Sequence, residues 1–521
     1  MRIAYSGWFL REGFERLGCE VAPIRLDSGR TLDEIVEEAG VKPDVVFLEF
    51  YGRTEIPKGL GESRHRLAAW CIDAPLGAFW LAPLCKLFAL VYVDQLFSVS
   101  RFRSEGVQAR WLPLCVSEGD FRPPAAKEHL ITFVGRLTEH REKRANLIAH
   151  LQARFPLNVV SDIPQAAMLD LFAASRMVLN ENFFPGLNLR FLHALASGSL
   201  LLSERQGYGV RQHFQEGTHY LGYSPADVAG LVERVAQDAE GHAHIARNGQ
   251  EECRLRHTSA CRARTVLDHL AEGRAAPMVS LPERLLGEGR GRYAQAVRHG
   301  GRIDEALQLL HDAAAAPGGV RPRALHALGL ILLRTGREEA GLACLEEAAG
   351  EPSETGLDAT LTLLLHLARG AGDARRLASL ASRLEAARLD KGVCARHLAA
   401  LAAGRDVRYH VCMLGYAALF KRKDVCDLGF QKPYEERYPD SALEYAAMAY
   451  ATLKTPEALD AVIACTRAAG VATQALGWIK DAVLSGVATD AQIALSIELA
   501  LASYDYAYAA RAVKAFKRTF S

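Results

Sequence analysis

The spacing of apolar and polar positions divides the chain into two regimes. As far as about residue 270, short apolar runs alternate with stretches in which apolar residues return every third or fourth position. The runs Met1–Ser6, Cys19–Ile24, Asp44–Phe50, Leu67–Asp73, Leu96–Ser100 and Ala109–Leu114 read as strands, and Trp8–Leu17 and Thr31–Gly40 as helices between them. Thr31 followed by Glu34 is a capping box at the start of the second helix. The alternation resumes with strands at Leu130–Val134, Leu157–Asp162, Ser175–Asn180 and Ser199–Glu204, and helices from Arg144, Met168, Leu187, Pro225, His242 and Thr258. Strands alternating with helices predict doubly wound parallel sheets. Beyond Gly273–Pro282, a Gly- and Pro-containing linker, the strand signal nearly vanishes and an Ala/Leu-rich helical pattern runs to the end. That pattern repeats: the segment at Gly301 aligns with the one at Gly336, a step of 336 − 301 = 35 residues. The tetratricopeptide period is about 34.

One unit stands out. Between the strand ending at Asn180 and the helix beginning at Leu187 lies a Pro185-Gly186 turn. Leu189, Leu192, Leu195 and Ala196 form one apolar face, and Gly198 closes the helix. A turn at the carboxyl end of a parallel strand is where open α/β sheets bind ligands. A helix start there offers unpaired N–H groups and a positive dipole end suited to phosphate, with Asn188 and Arg190 in the first turn as further donors. The residues alone leave an ordinary, unliganded turn as an equal reading.

The run Gly186, Asn188, Arg190, His193, Ala194, Ala196, Gly198 resembles the donor-site segment of GT-B glycosyltransferases, in particular the bacterial CgeB-like group. The resemblance implies two Rossmann-like lobes and a nucleotide-diphosphate sugar as co-substrate. The family usually has Glu where this chain has His193, and that Glu binds the ribose; histidine can still hydrogen-bond a hydroxyl. Leu112–Pro123, with Phe121 and Pro123, resembles the linker between the lobes. The expected division is a lobe at 1–122 on the acceptor side, a donor lobe at 123–272, and a tetratricopeptide-like helical domain at 283–521. Within the helical domain, Leu325, Leu328, Gly329, Leu332, Gly336, Leu345 and Ala348 fall at tetratricopeptide positions, as do Ala306, Leu310 and Ala313 one repeat before. Gly341 stands where alanine is usual.

A length of 521 residues suits two to four domains. Lys plus Arg total 62 against 61 for Asp plus Glu, which gives no reason to expect general nucleic-acid or membrane-surface binding. The apolar stretch Leu81–Val93 is interrupted by Lys86 and is too short to span a bilayer. Met1 and Arg2 lead straight into a strand, so no secretory signal is expected. The 11 cysteines form no C-x-x-C pair, and a reducing cytoplasm is the expected setting. No G-x-G-x-x-G follows the first strand, only Gly7 and Gly13, which argues against a standard NAD site.

Gly135, at the end of a strand, is followed by Arg136, Arg141, Lys143 and Arg144. Guanidinium forks match phosphate oxygens. By resemblance one or two of these hold the donor diphosphate: Arg136 and Arg144 are favoured, and Arg141 and Lys143 are assigned to the surface. Asn180 and Asn182 sit where they could contact the sugar, with turn capping an equal reading for Asn182. On the acceptor side, Asp73 ends an apolar strand before Ala74 and Pro75 and is the first candidate base, with turn capping equally open. Glu49 is the alternative base and His65 a weaker one. Gly7 and Trp8 are expected to line the cleft, Trp8 either stacking on sugar or belonging to the core. No Asp-x-Asp at a strand end and no His or Cys spacing points to a metal, so metal-independent transfer is expected.

The helical repeats imply a protein acceptor glycosylated on Ser or Thr, in a layout similar in kind to the O-linked N-acetylglucosamine transferases and to bacterial flagellin glycosyltransferases. Flagellin is the specific expectation. The alternatives are a polysaccharide or small acceptor, and a non-catalytic GT-B scaffold with an interaction module.

Overall fold

The computed structural model describes residues 1–52, 54–138, 141–205, 207, 209–273, 279–300, 302–351, 357–386, 393–421 and 437–519. Gly301 and half of the linker, 274–278, lie outside the described residues.

The apolar runs of the first part become a parallel sheet of β1 (Arg2–Ser6), β2 (Glu20–Pro23), β3 (Val45–Phe50), β4 (Leu67–Cys71), β5 (Leu90–Val93) and β6 (Ala109–Trp111), in the order β2-β1-β3-β4-β5-β6. Its helices are α1 (Arg11–Arg16), α2 (Leu32–Glu38), α3 (Ala74–Leu84) and α4 (Ser98–Ser104). Thr31 caps α2 in the capping box that its spacing with Glu34 predicts. One expectation is corrected here. Leu96–Ser100 is not a strand; it enters α4, with Ser98, Val99 and Phe102 buried at helical spacing. The strand comes before it, at Leu90–Val93, inside the long apolar stretch that hides its limits.

A second parallel sheet contains β7 (His129–Val134), β8 (Leu157–Val160), β9 (Ser175–Asn180), β10 (Leu200–Glu204) and β11 (Leu221–Tyr223), in the order β11-β10-β9-β7-β8. Around it lie α5 (Glu142–Gln152), α6 (Gln165–Ala173), α7 (Leu189–Ala196), α8 (Val228–Gln237) and α9 (Ala239–Arg256). The next helix, α10 (Ser259–Ala271), returns to the first sheet and packs on α1, where the Ser259 carbonyl leaves no room for a side chain at Gly13. Both sheets share one topology, with the strand order reversing between the first and third strands of each. Such a switch point opens a crevice at the carboxyl edge. In the first sheet it lies between β1 and β3, and in the second between β7 and β9.

The remainder is helical, beginning with α11 (Leu281–His299), α12 (Ile303–Ala315), α13 (Arg321–Arg334) and α14 (Glu338–Gly350). Neighbouring helices pack in sequence order, α11 on α12 and α13 on α14 most extensively. Nine more α-helices are described between Leu357 and Thr519. The start of this array joins the first lobe. α11 packs on α3, Glu288 accepts the Gly59 N–H at 3.1 Å, and Ala294 belongs to the core under the first sheet. Its far end joins the second lobe, where Tyr504 belongs to the core under the second sheet. Among the described residues no helix is long and apolar enough to cross a membrane.

Candidate active site

The second switch point gathers the residues singled out around Gly135 and Gly186. β7 ends at Val134 and β9 at Asn180, so Gly135 and the β9–α7 turn face each other across the crevice. Arg190 lies over both. Its Nε donates to the Val134 carbonyl at 2.7 Å, its Nη1 to the Glu181 carbonyl at 3.2 Å, and its guanidinium stands 4.7 Å from the Phe133 ring centre. A Cβ at Gly135 would come 2.5 Å from Arg190 Nη2, so the glycine makes room for the guanidinium. Burial, then Arg144 nearby, bring the Arg190 pKa down to about 10, which leaves it charged at neutral pH.

Three asparagines hold the turn rigid. Asn188 caps α7, its Oδ1 accepting from Phe191 N at 2.8 Å, while its Nδ2 donates to Asn180 at 3.0 Å. Asn180 donates to Asn182 and Ser203, and Asn182 to the Gly186 carbonyl at 3.1 Å. Asn180 and Asn182 are buried with their amides engaged, so they build the turn. The sugar contact expected of them is not what this geometry offers. Gly186 is needed for another reason: a Cβ there would meet Gln95 Oε1 at 2.1 Å. Gln95 follows β5 and donates to the Leu187 carbonyl at 3.0 Å, tying the first lobe to the turn.

The basic cluster is sorted differently from the expectation. Arg144 is buried and paired with Glu181 at 2.7 Å, and Arg136 is three-quarters exposed and paired with Asp162. Lys143 is no free surface residue either, pairing with Glu204 at 2.7 Å. Arg141, assigned above to the surface, is half-buried beside Phe183 and has no ion pair among the described residues. Its field reaches Asp73 across the cleft. His193 is also resettled. It is buried with Nε2 3.8 Å from Asp120 of the linker, and burial lowers its pKa, so its ring faces the linker rather than an open ribose site.

On the first lobe, Asp73 follows β4 in a left-handed conformation, φ 52°, and its side chain does not cap α3. That role belongs to Asp94 at the end of β5, which accepts from Asp73 N and Ala74 N at 3.0 Å each. Asp73 itself is exposed on the cleft wall. The protein around it raises its pKa by desolvation and Arg141 opposes the rise, while burial and then Asp73 hold Asp94 well above the usual carboxylate range. A non-glycine residue in the left-handed region is held there by its surroundings.

Glu49 does different work from a base. It is buried under the β1–α1 turn, where it accepts from Tyr5 OH, Trp8 N at 2.9 Å, Phe9 N and Leu10 N. Its carboxylate fills the place a phosphate takes in other first-strand turns. Gly7 is the residue that admits it, since a Cβ there would lie 2.3 Å from Glu49 Oε2. His65 precedes β4 beside Asp33, at the edge of the sheet opposite the cleft. Trp8 is not core: it is 69% exposed and stacks on Tyr51 with 6° between the ring planes, at the β1/β3 switch point. Asp94, Gln95 and Arg141 are the site residues that sequence reasoning missed or set aside. An Asp-Gln pair ending an apolar run was the available signal for the first two. Among the described residues no group of three or more His, Cys, Asp or Glu gathers as metal ligands do.

Residues 126–268, which include the second switch point, match the family model described as Glycosyl transferase-like. This segment is a glycosyltransferase-family domain. Solved structures similar to the chain include the HepE protein of Anabaena with UDP and glucose (12% identity, 52% of this chain and 100% of that chain, TM-score 0.39). Sucrose-phosphate synthase from Thermosynechococcus elongatus is another (11%, 52% and 100%, TM-score 0.40). A third is the pneumococcal O-GlcNAc transferase GtfA with UDP and GlcNAc (9%, 44% and 56%, TM-score 0.29). Likeness at that level carries no chemistry across. No curated protein matches the chain. The glycosyltransferase-family domain thus contributes Gly135, Arg141, Arg190 and the α7 start, while Asp73 comes from the lobe before it.

Proposed function

We propose that the chain moves a sugar from a nucleotide-diphosphate sugar to a Ser or Thr hydroxyl of a protein, with flagellin as the specific acceptor and no metal ion required. The observation that carries this reading is the placement of Asp73 across the cleft from the half-buried Arg141, whose charge acts on it without a direct ion pair, beside the Gly135–Arg190 switch point. Arg190, Arg141 and the α7 dipole hold the diphosphate, with Arg136 at the rim. As the acceptor oxygen attacks the anomeric carbon, its proton passes to Asp73. The bond from that carbon to the diphosphate breaks, and the leaving nucleoside diphosphate keeps the electron pair, its charge stabilised by the same cations. The helical array bears on the acceptor. Gly470 lies against Pro185, where a Cβ would meet the proline ring at 3.6 Å, so a polypeptide held by the array is delivered beside the donor turn.

A second acceptor reading rests on the Trp8–Tyr51 stack, an aromatic platform on the first lobe suited to the apolar face of a saccharide.

The test is calorimetric titration with UDP, GDP, CDP and dTDP without metal. One of them should bind, and Arg190→Ala should weaken that binding by about tenfold or more while remaining folded. Transfer assays with flagellin and with free saccharides then separate the two acceptors. A folded wild type that binds none of the four would favour the non-catalytic scaffold.

A further inference from the structure

The last corner of the helical array, between helices Asp490–Ala502 and Tyr506–Thr519, is driven into the second lobe. Tyr504 is only 3% exposed and belongs to the core cluster that contains Leu179, Leu200 and Tyr223. Ser503 offers its carbonyl to Asn146 Nδ2 of α5 at 3.1 Å, and Tyr506 donates its hydroxyl to the Pro225 carbonyl and packs on His150, ring centres 4.7 Å apart. The backbone at Tyr504 is left-handed, φ 58°. The other non-glycine residues with positive φ, among those described, are aspartates, which tolerate that region; an aromatic does not. Such a conformation is strained and persists only where the surroundings demand it.

What the ring reaches explains the demand. Tyr223 ends β11, is fully buried, and donates its hydroxyl to the Asn180 carbonyl at 2.8 Å. Asn180 is the last residue of β9 and the centre of the amide network that fixes Asn182, Asn188 and Arg190. Burial, with Tyr223 and then Glu204 next to it, pushes the Tyr504 phenol far up, so it stays neutral. The Tyr504 hydroxyl lies beside that of Tyr223 without completing a hydrogen bond of ordinary geometry, so the ring's packing is the main contact.

We propose that Tyr504 is a positioning residue of the donor site: from the helical array it seats Tyr223, and through Tyr223 it holds the carboxyl end of β9 and the β9–α7 turn. The array is then a structural part of the donor site as well as a neighbour of it. The consequence for binding rests on the reading of that turn as the donor site; the mechanical consequence does not.

The experiment uses the full chain and two readouts. Tyr504→Gly removes the ring and relieves the left-handed strain, so the array can stay docked. Tyr504→Phe keeps the ring. Asn146→Ala and Tyr506→Phe loosen the same docking surface without touching Tyr223. Hydrogen exchange of the unliganded protein over residues 180–191 should accelerate by about tenfold in Tyr504→Gly, stay at the wild-type rate in Tyr504→Phe, and change little in the two docking controls. Nucleoside-diphosphate affinity should follow the same order. Equal acceleration in the docking controls, or protection at 180–191 unchanged in Tyr504→Gly, would overturn the proposal. If the wild type binds no nucleoside diphosphate, the functional reading falls, and the exchange data alone still decide the role of Tyr504.

Discussion

Asp73 combines an exposed position on the cleft wall, a strained backbone and a cation across the cleft, and its titration exposes its role. A base must be ionised to accept the acceptor proton, so the transfer rate rises with pH through its pKa. Desolvation raises that pKa, so the acid limb of the rate profile should lie above the ordinary aspartate value of about 3.9. Arg141 holds it back, so Arg141→Gln should move the limb to higher pH and also weaken the donor diphosphate. A pH–rate profile of wild type and variant checks both; an unmoved limb would separate Arg141 from Asp73. Glu49 gives the contrasting case. Glu49→Ala leaves the Trp8 and Phe9 N–H groups and the Tyr5 hydroxyl proton without their acceptor, Leu10 N keeping Tyr5 OH, so it should destabilise the protein by roughly 3 kcal/mol or more in chemical denaturation. A residue acting only as a base would lose rate and keep stability. Asp73 stood out as a candidate in the sequence because it ends an apolar run, and Arg190 because it falls in the first turn of the helix after the Pro185-Gly186 turn. Asp94 also ends an apolar run, but its role was not legible, because its partners are backbone N–H groups that only the sheet brings to it.

At the scale of elements, local rules read well where one pattern occupied the segment alone. The capping box of α2, the β9–turn–α7–β10 unit and the glycine ending α7, at φ 73°, appear where the sequence places them. The error at Leu96–Ser100 arose where two elements share continuous apolar character, and period alone does not separate a buried strand from a buried helix. The helical region shows how a departure from a repeat pattern is structural. α13 and α14 cross at Gly329 and Gly341. A Cβ on Gly341 would lie 2.8 Å from the Gly329 carbonyl oxygen and 3.0 Å from the Leu333 nitrogen, both backbone atoms that cannot swing away. Gly341→Ala, which restores the residue usual in tetratricopeptide repeats, should therefore destabilise this chain by about 1–3 kcal/mol instead of stabilising it. Thermal and urea unfolding measure it; a gain in stability would mean that the two helices sit further apart than this crossing requires.

The whole molecule is closed in a way that the order of its segments does not suggest. Alternation and linker composition read as lobes followed by a separate appendage, but the appendage touches the lobes at both ends. At its start, Glu288 accepts the Gly59 N–H, Gln295 accepts the Ile56 N–H at 3.1 Å, and Ala294 enters the core under the first sheet. At its end, Tyr504 enters the core under the second. A third core, running from Ile3 and Tyr5 to Val178 and Leu195, joins the two lobes directly. These contacts join residues hundreds of positions apart, and no local pattern announces them. They also change what a truncation can report. Removing residues 283–521 would uncover apolar surface on both lobes and leave the Gly59 and Ile56 N–H groups without partners, so loss of transfer would reflect lost structure as much as a lost acceptor surface. The same connections predict that lobes and array unfold together. Calorimetry of the full chain should show one cooperative transition. Two well-separated transitions in the wild type would mean that the array only rests on the lobes.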